Sequence, residues 1–122
     1  MVYDVTATFL ELGGASTAAP SPDMLPVTGR SFAGVLRGDK DAARTDLDVL
    51  AWEHAGQRAV RRGDWKALYV SGENGPGRWE LFNLSNDPGE QHDRAADNPA
   101  ILSELLAEWQ RYVEDNGVLE SD

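Results

Sequence analysis

The side chains that could do chemistry here are two histidines, a knot of carboxylates and a short basic island. His54 and His92 are the only histidines, so any imidazole base must be one of them. A hydrolytic triad would need a serine on a sharp elbow beside it, and no Gly-x-Ser-x-Gly occurs. His92 falls in a polar turn and reads as a solvated residue. His54 is followed by Ala55-Gly56, which ends its strand where a side chain could point into a cleft, so a site-lining and a structural role both stay open. Asp87, Glu90 and Asp93 crowd carboxylates into one turn, which could suggest calcium. Their spacing lacks the alternating Asp/Asn ligands and late glutamate of an EF-hand loop, and the Pro88-Gly89 insert favours a plain turn. Asp87 is then expected to accept backbone amide hydrogen bonds, as turn aspartates do. Arg58, Arg61 and Arg62 form the basic island. In a strand Arg58 and Arg62 share one face while Arg61 points to the other, and pairing with nearby Asp and Glu is the expected use, with an anionic ligand as the alternative. Trp52, Trp65, Trp79 and Trp109 could form a sugar-stacking platform, but their places in apolar strands and in a helix stripe favour core packing.

The elements that must position these residues are legible in the pattern. From Asp4 to Leu12 the residues Val5, Phe9 and Leu12 recur at helical spacing, and Gly13-Gly14 is a natural stop, giving a short N-terminal helix. Its apolar stripe needs something to lie on. Ala15 to Pro26 is rich in Ser, Thr, Ala and Pro, and Pro20, Pro22 and Pro26 prevent helix and central strand alike. Gly29 to Arg37 offers Phe32, Val35 and Leu36 for a helical turn or two ending at Gly38, and Asp39 to Asp46 reads as charged and exposed. Leu47 to Glu53 alternates as a strand. Arg58 to Arg62 and Trp65 to Val70 are two more, joined at Gly63-Asp64, whose glycine can take the positive φ of a tight hairpin. Ser71 to Gly77 is a loop, Arg78 to Leu84 a fourth strand, and Asp87-Pro88-Gly89 a turn. Successive strands with short connections predict an antiparallel sheet. Asn98 suits an N-cap and Pro99 the first helical position. Ile101, Leu102, Leu105, Leu106, Trp109, Tyr112 and Val113 then form one apolar stripe that ends at Asn116-Gly117. The expected fold is α+β: a small antiparallel sheet of about four strands packed on a long C-terminal helix, plus the short N-terminal helix. Residues 1–45 form an N-terminal helix with its connecting loop, and 46–122 the sheet and helix.

Composition narrows the function classes. The chain has 122 residues and a formal charge of −10, enough length for a core and the wrong sign for nucleic acid or an anionic membrane, whose affinity comes from Lys and Arg. There is no cysteine, hence no disulfide, thiolate metal site or cysteine nucleophile. No apolar run approaches the roughly 20 residues that span a bilayer, and no signal peptide is apparent at the start. A soluble, acidic chain is expected, cytoplasmic or periplasmic.

Several segments, in order, resemble the C-terminal subdomain of the bacterial arylsulfatases, a family of the alkaline-phosphatase-like superfamily. Asp4-Val5-Thr6-Ala7-Thr8-Phe9-Leu10-Glu11-Leu12-Gly13-Gly14 resembles the family's Asp-Ile-x-Pro-Thr-Leu-Leu-Asp-x-Ala-Gly helix, and Gly29-Arg30-Ser31-Phe32 with Gly38 its Gly-x-Ser-Leu turn. The strongest matches are Trp52-Glu53-His54 through Lys66, and Trp79-Glu80-Leu81-Phe82-Asn83-Leu84 through Asp87-Pro88-Gly89-Glu90. Ala7 stands where the family often has proline, and Arg94 where it often has leucine. The resemblance implies a sulfuric ester hydrolase whose formylglycine arises in a Cys/Ser-x-Pro-x-Arg motif and whose calcium is held by Asp and Asn. That motif is missing: Ala18-Ala19-Pro20-Ser21-Pro22 only mimics it.

What the resemblance implies for this chain is therefore a supporting part. It provides no catalytic or metal residue and no cofactor of its own. Glu53 and His54 are expected at the rim of the substrate cleft, and the N-terminal catalytic domain is the expected partner. The alternative is a stand-alone binding or assembly module, or one half of a split sulfatase, with self-association through Val5, Phe9 and Leu12.

Overall fold

In the computed structural model, residues 1–19 and 21–119 are described. Pro20, one of the prolines of the expected loop, lies outside the described residues, as do 120–122 at the end of the second expected domain. Chain contacts divide the protein into two compact units, Met1–Thr45 and Asp46–Asp122.

The first unit holds helix α1, Val2–Leu12, and the short helix α2, Ala33–Arg37. α1 begins two residues earlier than the sequence pattern suggests. Gly14, at φ 70°, ends it with its N–H on Glu11 O, and Gly38, at φ 80°, ends α2. The buried side of α1 carries Asp4, Ala7 and Thr8. The Asp4 carboxylate accepts the Arg30 N–H at 2.7 Å and two bonds from the Arg44 guanidinium, at 3.0 and 2.5 Å. Arg44 therefore departs from the expected exposed stretch 39–46, because a fork-shaped cation matches a carboxylate that burial has stripped of water. Burial alone would raise the Asp4 pKa, but these hydrogen bonds and the Arg44 charge hold it well below the usual carboxylate range.

The second unit is a four-stranded antiparallel meander in the order β1-β2-β3-β4, formed by Val49–His54, Gln57–Arg62, Trp65–Tyr69 and Trp79–Asn83. Helix α3, Pro99–Asn116, packs on β1, β2 and β3. The expected α+β architecture is thus present. Strand ends differ from the sequence reading: β1 runs from Val49 to His54, and Leu47 lies before it, 84% exposed. Val70, Arg78 and Leu84 fall just outside their strands.

Register explains the core. Ala51, Val60, Ala67 and Leu81 stand in one row across the sheet, and Leu105 and Trp109 of α3 close on that row. Two alanines in the row leave room for the indole. Trp109 lies edge-on to Trp79, 5.7 Å between centroids, and 5.3 Å from Tyr112, and Trp65 packs at the margin of the same cluster. Burying a side chain such as Leu105 contributes about 1.5–3 kcal/mol. Asn98 is the N-cap as expected, yet its side-chain amide donates to Arg94 O at 3.2 Å and makes no cap bond. Gly117, at φ 62°, ends the helix.

Candidate functional site

Glu53 and His54 close β1 at a two-residue turn, Ala55-Gly56, with φ of 51° and 78°. Positive φ at both central positions is the type I′ hairpin geometry, and an alanine there costs roughly 1–2 kcal/mol relative to glycine. The turn is held by Glu53, whose Oε1 accepts the Gly56 N–H at 3.1 Å. His54 pairs with Gln57 across the turn. Successive strand residues face opposite ways, so Glu53 sits on the face that also carries Val60 and Ala67, and His54 on the other. Both are exposed. The two are therefore neighbours at one loop tip, each able to meet a solute from its own side, and do not form an acid-base pair with each other.

The basic island divides as its spacing requires. Arg62 reaches Glu104 of α3 at 2.5 Å, Arg58 lies with its guanidinium 4.8 Å above the Tyr69 ring, and Arg61 turns the other way to donate to Gly63 O at 2.9 Å. On that second face Lys66 stands 5.7 Å from the Trp52 ring centre and 2.7 Å from Glu90. Trp52 thus differs from the other three tryptophans, of which Trp109 lies in the core between α3 and the sheet and Trp65 and Trp79 pack against it.

The carboxylates of the Asp-Pro-Gly turn are each engaged by the protein. Asp87 accepts the Gln91 N–H at 2.9 Å and the His92 N–H at 2.9 Å. Glu90, at φ 54°, holds Lys66. Asp93 accepts the Leu81 N–H at 3.0 Å and the Ala95 N–H at 2.9 Å, and its second oxygen meets Arg78 at 2.6 Å. Their lone pairs point at separate donors, so this turn does not fit a calcium ion. Among the described residues no group of three or more His, Asp or Glu side chains could hold a metal. Asp93 does something the sequence did not reveal. Together with the Arg94 N–H, which donates to Leu81 O at 2.7 Å, it satisfies both backbone groups of Leu81, in the middle of the edge strand β4.

These bonds give the unit a pH dependence. The Gln91 N–H, set against some burial and helped by His92, lowers the Asp87 pKa. For Asp93, burial raises and the Leu81 N–H, Arg78 and Ala95 N–H lower, with a net fall. A carboxyl whose folded pKa is depressed stabilises above its unfolded value, near 3.9, and that stability is lost as pH falls through the folded value. Urea midpoints will hold near neutral pH and drop as pH falls through and below that unfolded value. In Asp93→Asn the midpoint will be lower at pH 7 and the acid drop shallower. An unchanged acid limb in that variant would show that Asp93 does not contribute.

A cavity of about 440 Å³ lies in the first unit, lined by Ala7, Glu11, Ser16, Thr17, Gly29 and Arg30 among others. Neither Glu53 nor His54 belongs to it. Val5, Phe9 and Leu12 of α1 are 37%, 69% and 52% exposed. No helix among the described residues is long and apolar enough to cross a membrane.

No protein-family model matches the chain. It is 45% identical over 74 residues to an uncharacterised sulfatase of Schizosaccharomyces pombe, a match covering 61% of this chain and 13% of that protein. It is 33% identical over 107 residues to a sulfatase of Formosa agariphila, covering 80% of this chain and 19% of the other. Among solved structures it is similar to a 2-O GAG sulfatase, with a TM-score of 0.64, 28% identity, and coverage of 92% of this chain and 24% of that one. The chain thus spans under a quarter of the length of each of these proteins.

Proposed function

We propose that this chain, which corresponds to a C-terminal portion of a sulfatase, supports the catalytic domain of a sulfuric ester hydrolase and forms one edge of its active site. The reading is carried by the 45% identity over most of the chain against only 13% of a far longer sulfatase. A stand-alone module is not favoured by that proportion. In a complete family member, formylglycine and calcium would supply nucleophile and charge from outside this segment. The residues here do not fit either group, and the role of this chain is to hold a rigid hairpin tip at the rim. Glu53 fixes the turn through Gly56, and His54 is the side chain left to face a sulfated substrate. Self-association through Val5, Phe9 and Leu12 is the other use open to α1.

Two measurements test this. The isolated chain will not turn over an aryl sulfate, because no Cys/Ser-x-Pro-x-Arg sequence is present to supply the nucleophile; turnover abolished by a substitution within the chain would sink the reading. In the complete sulfatase that contains this segment, His54→Ala will raise KM about 3- to 10-fold with kcat little changed, the size of one lost hydrogen bond. An unaltered KM in both His54→Ala and Glu53→Ala would remove these residues from the rim.

A further inference from the structure

α1 is amphipathic the wrong way round for its own unit. Its inward side carries Asp4, Ala7 and Thr8, while Val2, Val5, Phe9 and Leu12 stand 83%, 37%, 69% and 52% exposed. These four are spaced three, four and three residues apart, which on an α-helix is one continuous face. The inward side is locked. Thr8 Oγ1 donates to Asp4 O at 2.7 Å and accepts the Phe32 N–H at 3.0 Å, and Asp4 is clasped by Arg44 and the Arg30 N–H. Rolling the helix to bury Phe9 within the unit would strand a desolvated carboxylate, so the local fold holds the apolar face outward. A contiguous apolar face held in that way is an interaction surface.

We propose that this face docks, as a helix in a groove, onto an apolar surface of the larger sulfatase portion that this chain does not include. The occupant follows from length: the matched segment is 13%, 19% and 24% of the three similar proteins, so each carries a much larger body beside it. The spacing of the four side chains is that of the anchor positions by which helices enter grooves. The inference rests on reading the chain as the C-terminal portion of a sulfatase.

The test exchanges the corresponding C-terminal stretch of the Formosa agariphila sulfatase for this chain and follows hydrogen exchange at the α1 amides. In the chimera these amides will exchange at least about tenfold more slowly than in the isolated chain, and Phe9→Asp will erase the difference. If the chimera does not fold, the isolated chain is mixed with the separately produced remainder of that sulfatase, and the same slowing, lost in Phe9→Asp, is expected. By sedimentation the isolated chain will be a monomer. Equal exchange with and without the larger portion, or an isolated dimer that Phe9→Asp dissociates, overturns the proposal. An inactive chimera with protected α1 counts against the rim reading alone, and an active one with unprotected α1 against the docking alone.

Discussion

Replacing Trp109 with alanine will cost the sheet-and-helix unit about 3–5 kcal/mol, the range for emptying a large aromatic from a core. Trp109 is 1% exposed and touches the row Ala51, Val60, Ala67 and Leu81. Nothing beside it can fill the space, since the two alanines are short and Trp79 is already edge-on to the missing ring. Against a total stability of about 5–15 kcal/mol, the change lowers the melting temperature by on the order of 20 °C for a unit of this size. Thermal melting followed by far-ultraviolet circular dichroism reads it. Trp109→Phe, which keeps most of the contact, will fall by much less. A drop under about 5 °C for the alanine variant would mean that α3 is not held by this residue.

Gly29→Ala will unfasten α1. A Cβ at Gly29 would stand 2.0 Å from Tyr3 O and 2.6 Å from Tyr3 C, both backbone atoms, so no side chain can swing aside. Either the 29–32 turn or the helix must move. Movement breaks the Arg30 N–H bond to Asp4 and the Phe32 N–H bond to Thr8, each about 1–3 kcal/mol where the abandoned group is buried. The added strain of a forced fit is about 1–3 kcal/mol more. Hydrogen exchange will show α1 amides opening far more often than in the parent. Gly72→Ala, where a Cβ meets nothing within 4 Å, is the control and will be near neutral. Protection of α1 equal to the parent's would refute the close approach.

The sheet and α3 were readable because their signals are local. Alternation marks the strands, and seven apolar residues at helical spacing mark the helix. Strand ends are less so: Leu47 continues the apolar alternation, yet it lies outside β1 and is 84% exposed, because alternation alone does not say where pairing with β2 stops. From the sequence, Asp4 is an ordinary residue of a helix start. Its partner Arg44 is 40 positions away, and nothing in either neighbourhood points to the other. Position alone groups Asp93 with Asp87 and Glu90 as a possible ligand, whereas its Oδ1 serves Leu81, a residue 12 positions back. At the candidate rim, Glu53 and His54 could be picked from their place at a strand end. That Glu53 spends its carboxylate on the Gly56 N–H depends on turn geometry, which the letters Ala-Gly do not specify. The motif from Trp52 to Glu90 consists mostly of the bonds that build the unit.

The strand order β1-β2-β3-β4 also says how this unit comes into being. Each strand pairs with the one that precedes it in the chain, so every sheet contact closes a short loop at small entropic cost. Only the return of α3 onto β1 and β2 spans a long stretch. Mixed α/β topologies dominated by such near-neighbour pairings fold faster than sandwiches and barrels. The longest closure in the unit is the landing of Leu105 and Trp109 on a sheet whose hairpins form on the microsecond scale.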